Sequence, residues 1–347
     1  MNKKWYITIA AALTTAVLSG CGRTDGENIH AGMEMITALE YDGALASFQA
    51  AREAKEDERL ILRGEGIAYM GKTMYEEASS AFEQALSGSD GRIVDLDYDI
   101  NYYLATAYYK LGEKDKAASV YDAITALKSD AEDAYYLRGV IRTEQGSLEA
   151  AREDFDKAIA LNSKDYDRLI EIYSVLAANG FREVGQEYLQ AAMDAGTKDM
   201  TNYEKGRICY YLEDYENART YLEKARDEGG YEAVLVLGKT YEILGDNNYA
   251  ISVYNSYLDS GEANPQVYNQ LGLCRMNMGD YQGALSAFQA AMKIEDNGMM
   301  QTLKMNEIIA YEYLGEYRQA EVLMGSYLRT YPDDEMAQRE HVFLKTR

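Results

Sequence analysis

The sequence predicts an all-α solenoid of about nine helix-turn-helix repeats, and three observations predict it. A small residue recurs at Ala44, Ala78, Ala117, Ala151, Gly185, Ala218, Ala250, Ala284 and Ala320, at steps of 32 to 39 residues. Four residues after each stands a bulky side chain: Phe48, Phe82, Tyr121, Phe155, Leu189, Leu222, Tyr254, Phe288 and Met324. Between these markers, apolar residues at i, i+3, i+4 and i+7 describe two amphipathic helices per period. No single helix pair covers its own apolar face, so neighbouring pairs must stack to build the core. Such an array offers a long surface and seldom an enclosed catalytic pocket.

Each element of the period has its own justification. The first helix carries a small residue twelve positions before the marker: Gly32, Gly66, Ala105, Gly139, Gly206, Gly238 and Gly272. Small residues on facing helices let the axes approach, and the bulky residue fills the adjacent gap. A glycine five positions before the marker ends the first helix at Gly112, Gly146, Gly180, Gly245, Gly279 and Gly315, where the chain must reverse. Aromatics open several second helices, at Tyr41, Tyr75, Tyr215, Tyr281 and Tyr317, and alanines recur seven residues after the marker, as at Ala51, Ala85 and Ala291.

The cleanest copies are YNQLGLCRMNMGDYQGALSAFQAAM from Tyr268 and YYLRGVIRTEQGSLEAAREDFDKAIAL from Tyr135. This pattern resembles the tetratricopeptide repeat family over roughly residues 25 to 335. The resemblance implies a right-handed α-solenoid over 28–335, closed by a capping helix over 336–347. Several features depart from the family pattern. The proline favoured near the period's end stands only at Pro332, and Pro265 falls instead at a helix start after the cap residue Asn264. Repeat five has Gly185 and Leu189 at the markers and Tyr173 where a small residue is expected, which predicts a bend or mobile point. SGSDGRIVDLDYD, between repeats two and three, reads as a longer acidic loop leading into a helix.

The amino terminus carries a separate pattern. Lys3 and Lys4 precede the mostly apolar Trp5–Ser19, which is short for a membrane span and suits a secretory segment. Leu18-Ser19-Gly20-Cys21 follows and resembles a bacterial lipobox. The resemblance implies a lipoprotein signal peptide over 1–20, fatty acylation (palmitate) at Cys21 and a short tether over 21–27. The alternative is an uncleaved amino-terminal anchor. Either places the array outside the cytoplasm at the cell membrane.

Composition excludes several function classes. A net charge of −23 has the wrong sign for neutralising phosphates, so a nucleic-acid partner is not expected. His30 and His341 stand near opposite ends, and no metal-ligand spacing, phosphate loop, dinucleotide fingerprint or nucleophile elbow is present. Asp95, Asp97, Asp99 and Asn101 open like a calcium loop, but Ile100 and Thr106 occupy the positions that need glycine and glutamate. Cys209 and Cys274 read as small buried residues, too far apart to pair. We therefore expect no enzyme activity, no cofactor and no metal.

In tetratricopeptide arrays the first helices line the concave face. The resemblance carries this to Arg63, Tyr102, Thr106, Tyr109, Tyr136, Tyr203, Arg207, Tyr210 and Asn269 as groove residues. That face is expected to be aromatic and short of charge. The family's lysine–asparagine carboxylate clamp is missing, since Tyr102, Thr106, Tyr136 and Val140 hold its positions. Tyrosine offers rigid contact area with a polar tip for a protein or peptide, unless these rings pack between layers. The expected function is a lipid-anchored extracytoplasmic scaffold for protein–protein interaction at the bacterial cell envelope. The alternative is a glycan or cell-wall binder that stacks sugars on the tyrosines.

Overall fold

The computed structural model describes residues 26–196, 198–226 and 230–347. The signal-peptide segment 1–20 and Cys21 lie outside the described residues. Among those described there are nineteen α-helices and no strand. In order they are α1 (Glu27–Thr37), α2 (Tyr41–Glu53), α3 (Glu58–Gly71), α4 (Tyr75–Ser87), α5 (Asp95–Lys110), α6 (Lys114–Leu127), α7 (Glu132–Glu144), α8 (Leu148–Leu161), α9 (Tyr166–Ala178) and α10 (Arg182–Ala195). There follow α11 (Asn202–Tyr211), α12 (Tyr215–Ala225), α13 (Gly230–Ile243), α14 (Asn247–Asp259), α15 (Pro265–Asn277), α16 (Tyr281–Met292), α17 (Met300–Tyr313), α18 (Tyr317–Thr330) and α19 (Glu335–Leu344). The helices pack in consecutive pairs, giving the expected α-solenoid of helix-turn-helix repeats. The chain divides at Gly185 and Gln186, inside repeat five, into two compact units.

The period's markers become a repeated knob and slot. Phe48, Phe82, Phe155, Leu222, Tyr254 and Phe288 are fully buried on the second helices. Each lies against the small residue of its own first helix: Gly32, Gly66, Gly139, Gly206, Gly238 and Gly272 in turn. A Cβ added at any of these glycines would fall inside the facing side chain. Phe48 also lies against Gly64 of the next repeat, so one ring joins two layers. Repeat five departs at the slot position. Tyr173 on the first helix is buried, and Gly185 on the second makes room for it. The bulky marker Leu189 stays fully buried, so the poor match lies in Tyr173, which packs against Gly185.

The turn between paired helices is the same in all nine repeats. Six turns carry a left-handed glycine, as expected, with φ between 74° and 87°. The other three use Leu39, Thr73 and Glu213 at φ 61°, 59° and 64°. The Schellman pair of bonds is kept regardless: Glu113 N–H donates to the Tyr108 carbonyl at 2.9 Å, as Met74 N–H does to Tyr69. The sequence therefore specifies the turn without specifying glycine, at a local cost.

Helix starts are mostly acidic. Asp57, Asp165, Asp214, Asp246 and Asp280 each accept backbone N–H groups as caps, and Asn264 accepts those of Gln266 and Val267 ahead of α15. One expectation fails at α5. Asp97 is not an exposed loop acid but a buried first-turn residue that accepts Val94 N–H at 2.8 Å and pairs with Arg59. Cys209 and Cys274 are free and buried in one apolar cluster.

Two substitutions test the slot and the turn. Gly272→Ala gains up to ~1 kcal/mol of helix propensity, but overpacking against the fully buried Phe288 costs about 1–3 kcal/mol, so the urea midpoint falls. Thr73→Gly relieves the left-handed backbone and raises it by about 1 kcal/mol. Movement of either midpoint in the opposite direction rejects this packing.

Candidate functional site

The first helices of the repeats lie closer to one another than the second helices do. In unit 1, α1 meets α3, α3 meets α5 and α7 meets α9; in unit 2, α11 meets α13 and α13 meets α15. Among the described residues, contact between successive second helices is marginal at most. Elements on the inner side of a curved stack approach most closely, so the first helices line the inner face of each unit. All nine groove residues read from the sequence stand on first helices.

In unit 1 that face is laced from one repeat to the next. Arg63 on α3 pairs with Asp99 on α5 and lies 5.7 Å from the Tyr103 ring centre. Arg59 pairs with Asp97 one turn earlier and donates Nε to the Ala85 carbonyl at 2.9 Å. Tyr102 packs its ring 6.0 Å from Tyr121. Burial, with Asp133 nearby, pushes the Tyr102 phenol up to about 12. Thr106 is half-buried, and its hydroxyl donates to the Tyr102 carbonyl at 2.9 Å. Tyr109 donates its phenol to Glu144 on α7 at 2.6 Å, and Lys114 reaches the same carboxylate at 2.9 Å. Tyr136 packs 6.2 Å from Phe155, with the Arg168 guanidinium 4.0 Å from its ring centre.

Arg168 on α9 is the centre of the densest charge group on this face. It reaches Asp133 at 2.7 Å, Glu171 at 3.5 Å and Glu132 at 3.6 Å. Burial, together with the crowding of nearby acids, holds Glu132 and Glu171 above the usual carboxylate range, while the Arg168 charge opposes that shift. The face is thus aromatic, as expected, but it is not short of charge. Asp99, Asp133, Glu144 and Arg168 were not read as residues of this face because each acts across repeats, about one period from its partner.

In unit 2, three of the residues share α11. Arg207 lies 5.0 Å from the Tyr203 ring centre on its own helix. Tyr210 meets Tyr211 and Tyr215 edge to face, at 5.4 and 5.8 Å. Asn269 corrects the expectation for it. It is buried, and its Oδ1 accepts a hydrogen bond from Asn306 Nδ2 at 2.8 Å, so its amide joins α15 to α17 and does not face a partner. Nearby, Glu242 accepts from the Tyr254 phenol at 2.7 Å and from Gln270 at 3.2 Å.

Enclosure is slight. One open depression of about 640 Å³ lies along the polar side of α14, bordered by Asn248, Ser252, Asn255 and Asp259. Another of about 690 Å³ is bordered by Arg52, Glu65, Tyr69 and Glu76. Neither contains a groove residue read from the sequence. Among the described residues no group of histidine, cysteine and carboxylate side chains is arranged to hold a metal.

A tetratricopeptide repeat profile matches residues 63–132, 104–166 and 203–266, and a second profile of the same repeat matches 265–297. The chain belongs to the tetratricopeptide repeat family. Among curated relatives it is 31% identical over 163 residues to BBSome complex member bbs-4 of Caenorhabditis elegans, covering 44% of this chain and 35% of that protein. It is 23% identical over 311 residues to DnaJ homolog subfamily C member 3 of Mus musculus, covering 86% of this chain and 56% of that one. The chain therefore spans about a third to a half of these relatives. A solved tetratricopeptide repeat protein from Parabacteroides merdae aligns with a TM-score of 0.48 at 17% identity, over 82% of this chain and 97% of that one. Tetratricopeptide repeat proteins bind protein or peptide partners.

The Arg168 cluster makes a pH-dependent prediction. Glu132 and Glu171 have raised folded-state values, so the stability tied to them is fully present below the ordinary carboxylate range and is lost as pH rises through those values. Arg168→Gln removes the opposing charge and deepens that loss. The variant should be about 1–3 kcal/mol less stable than wild type at pH 7, with the gap narrowing at pH 5. Urea unfolding at both pH values checks this, and an equal gap at both contradicts it.

Proposed function

We propose that this protein is a non-catalytic scaffold that captures protein or peptide segments on the inner face of its first helices. It does so while tethered through acylated Cys21 to the outer side of a bacterial cell membrane. The observation that carries the binding reading is the bracing of half-buried tyrosines. Tyr102, Tyr109 and Tyr136 show part of each side chain while packing or hydrogen bonds hold the rest. Rings fixed before a partner arrives lose little entropy on binding, and tyrosine gives large contact area with few torsions. The relative bbs-4 is by name a complex member, which agrees with a scaffold role. The location rests on the amino-terminal sequence: two lysines, a short apolar run and Leu18-Ser19-Gly20-Cys21.

Two experiments test the two halves of this reading. A photo-reactive group at Thr106, on the inner face of unit 1, should form adducts with discrete proteins on intact cells. The same group at Ser80, exposed on the second helix α4, should form few. Equal labelling from both positions removes the inner face as the site, and adducts to cell-wall carbohydrate replace the protein reading with the glycan one. Separately, labelled palmitate should enter the wild-type chain and not Cys21→Ser. Incorporation that ignores the substitution removes the anchor.

A further inference from the structure

α19 closes unit 2 by laying Ala337 and Leu344 over Ile308, Ala320, Met324 and Tyr327. Beside this apolar seam, two adjacent residues of α19 make contacts with two different helices. Glu340 faces Glu312 of α17, and Glu312 Oε1 is buried with no hydrogen-bond partner. Two ionised carboxylates so placed repel, whereas one shared proton turns the same contact into a hydrogen bond. The next residue, His341, has Nε2 3.2 Å from Glu321 Oε1 of α18, with its side chain mostly buried. That contact is an ion pair only while the imidazole holds its second proton.

The carboxylate contact responds to protons. Burial and the Glu340 carboxylate raise Glu312 to about 7. The stability tied to it is complete below the ordinary carboxylate value and is lost as pH rises through about 7. Arg339 pairs with Glu335 at 3.2 Å, Arg347 lies over the rings of Tyr317 and Phe343, and Lys304 of α17 lies over Tyr331. α16, which packs against α17, carries no charged residue. At the start of α19, Asp334 accepts from Ala337 N–H at 3.0 Å and from the Tyr327 phenol at 2.6 Å; these bonds hold its carboxyl below the usual range. The helix therefore stays capped across the neutral range, and only its docking is at stake.

We propose that Glu312 and Glu340 form a proton-operated latch, which holds α19 down in mild acid and lets it lift above neutrality, uncovering Ile308, Met324 and Tyr327. The test is hydrogen exchange on the full chain at pH 6 and pH 8, corrected for the intrinsic rate. Protection of α19 should fall by about tenfold or more relative to α15 and α16 at the higher pH, one unit of pKa difference being worth about tenfold. Glu340→Gln keeps a donor for Glu312 without the second charge, so it should retain α19 protection at pH 8. Unchanged α19 protection overturns the latch. So does a uniform loss across α15–α19, or a Glu340→Gln variant that follows wild type.

Discussion

The structure depends on one steric constraint: a bulky side chain on each second helix must enter a slot left by a small residue on the first. Phe82 against Gly66, Phe155 against Gly139 and Phe288 against Gly272 state it most simply. The slot sets the separation of the paired helices, because dense interiors leave no space to absorb an extra methyl. That separation brings the first helices of successive repeats into contact. Phe48, lying against both Gly32 and Gly64, shows the same ring setting the distance inside a repeat and between repeats. The inner face thus follows from a packing rule on the other side of the same helices.

A second constraint comes from charge. The chain has 58 acidic and 35 basic side chains, so cations alone cannot partner its carboxylates. Tyrosine phenols take up part of that work. Tyr109 donates to Glu144, Tyr241 to Glu223, Tyr254 to Glu242, Tyr257 to Glu262 and Tyr327 to Asp334, at 2.5 to 2.9 Å. A phenol donates to a carboxylate without the full desolvation cost that burying a second charge would add. Part of the chain's tyrosine is therefore explained by its acidity and its core, before any partner is considered.

These two constraints account for what the sequence makes legible. The slot repeats at a fixed offset within each period, so Phe288 and Gly272 announce each other from sixteen residues apart. Repeat five breaks the pattern because Tyr173 stands at the slot position and packs against Gly185, which a position-by-position reading registers as a mismatch. Leu39, Thr73 and Glu213 hide their turns because the geometry comes from the two flanking helices, not from a glycine. The inner face is legible in its rings and not in its charges. Arg63 finds Asp99, and Arg168 finds Asp133, about one period away, and neither pair recurs at a constant offset. Asn269 misleads for the same reason: its fate depends on Asn306, a residue its own repeat does not contain.

The inner face consequently has two duties that cannot be separated residue by residue. Tyr136 touches Phe155 in the core and carries Arg168 over its ring, and Arg168 in turn gathers the acids of α7 and α9. Truncating such a tyrosine removes contact area for a partner and also loosens the joint between repeats. Loss of binding in that variant would therefore say little about recognition. Residues whose side chains bond only within their own helix are better reporters, and Thr106, whose hydroxyl returns to the Tyr102 carbonyl and steadies the Tyr121 phenol beside it, lies nearer that limit than any tyrosine on the face. A surface built from its own inter-repeat bolts presents a partner with rigid side chains, and rigidity of that kind lowers the entropy cost of binding while leaving the choice of partner to the few groups that remain unspent.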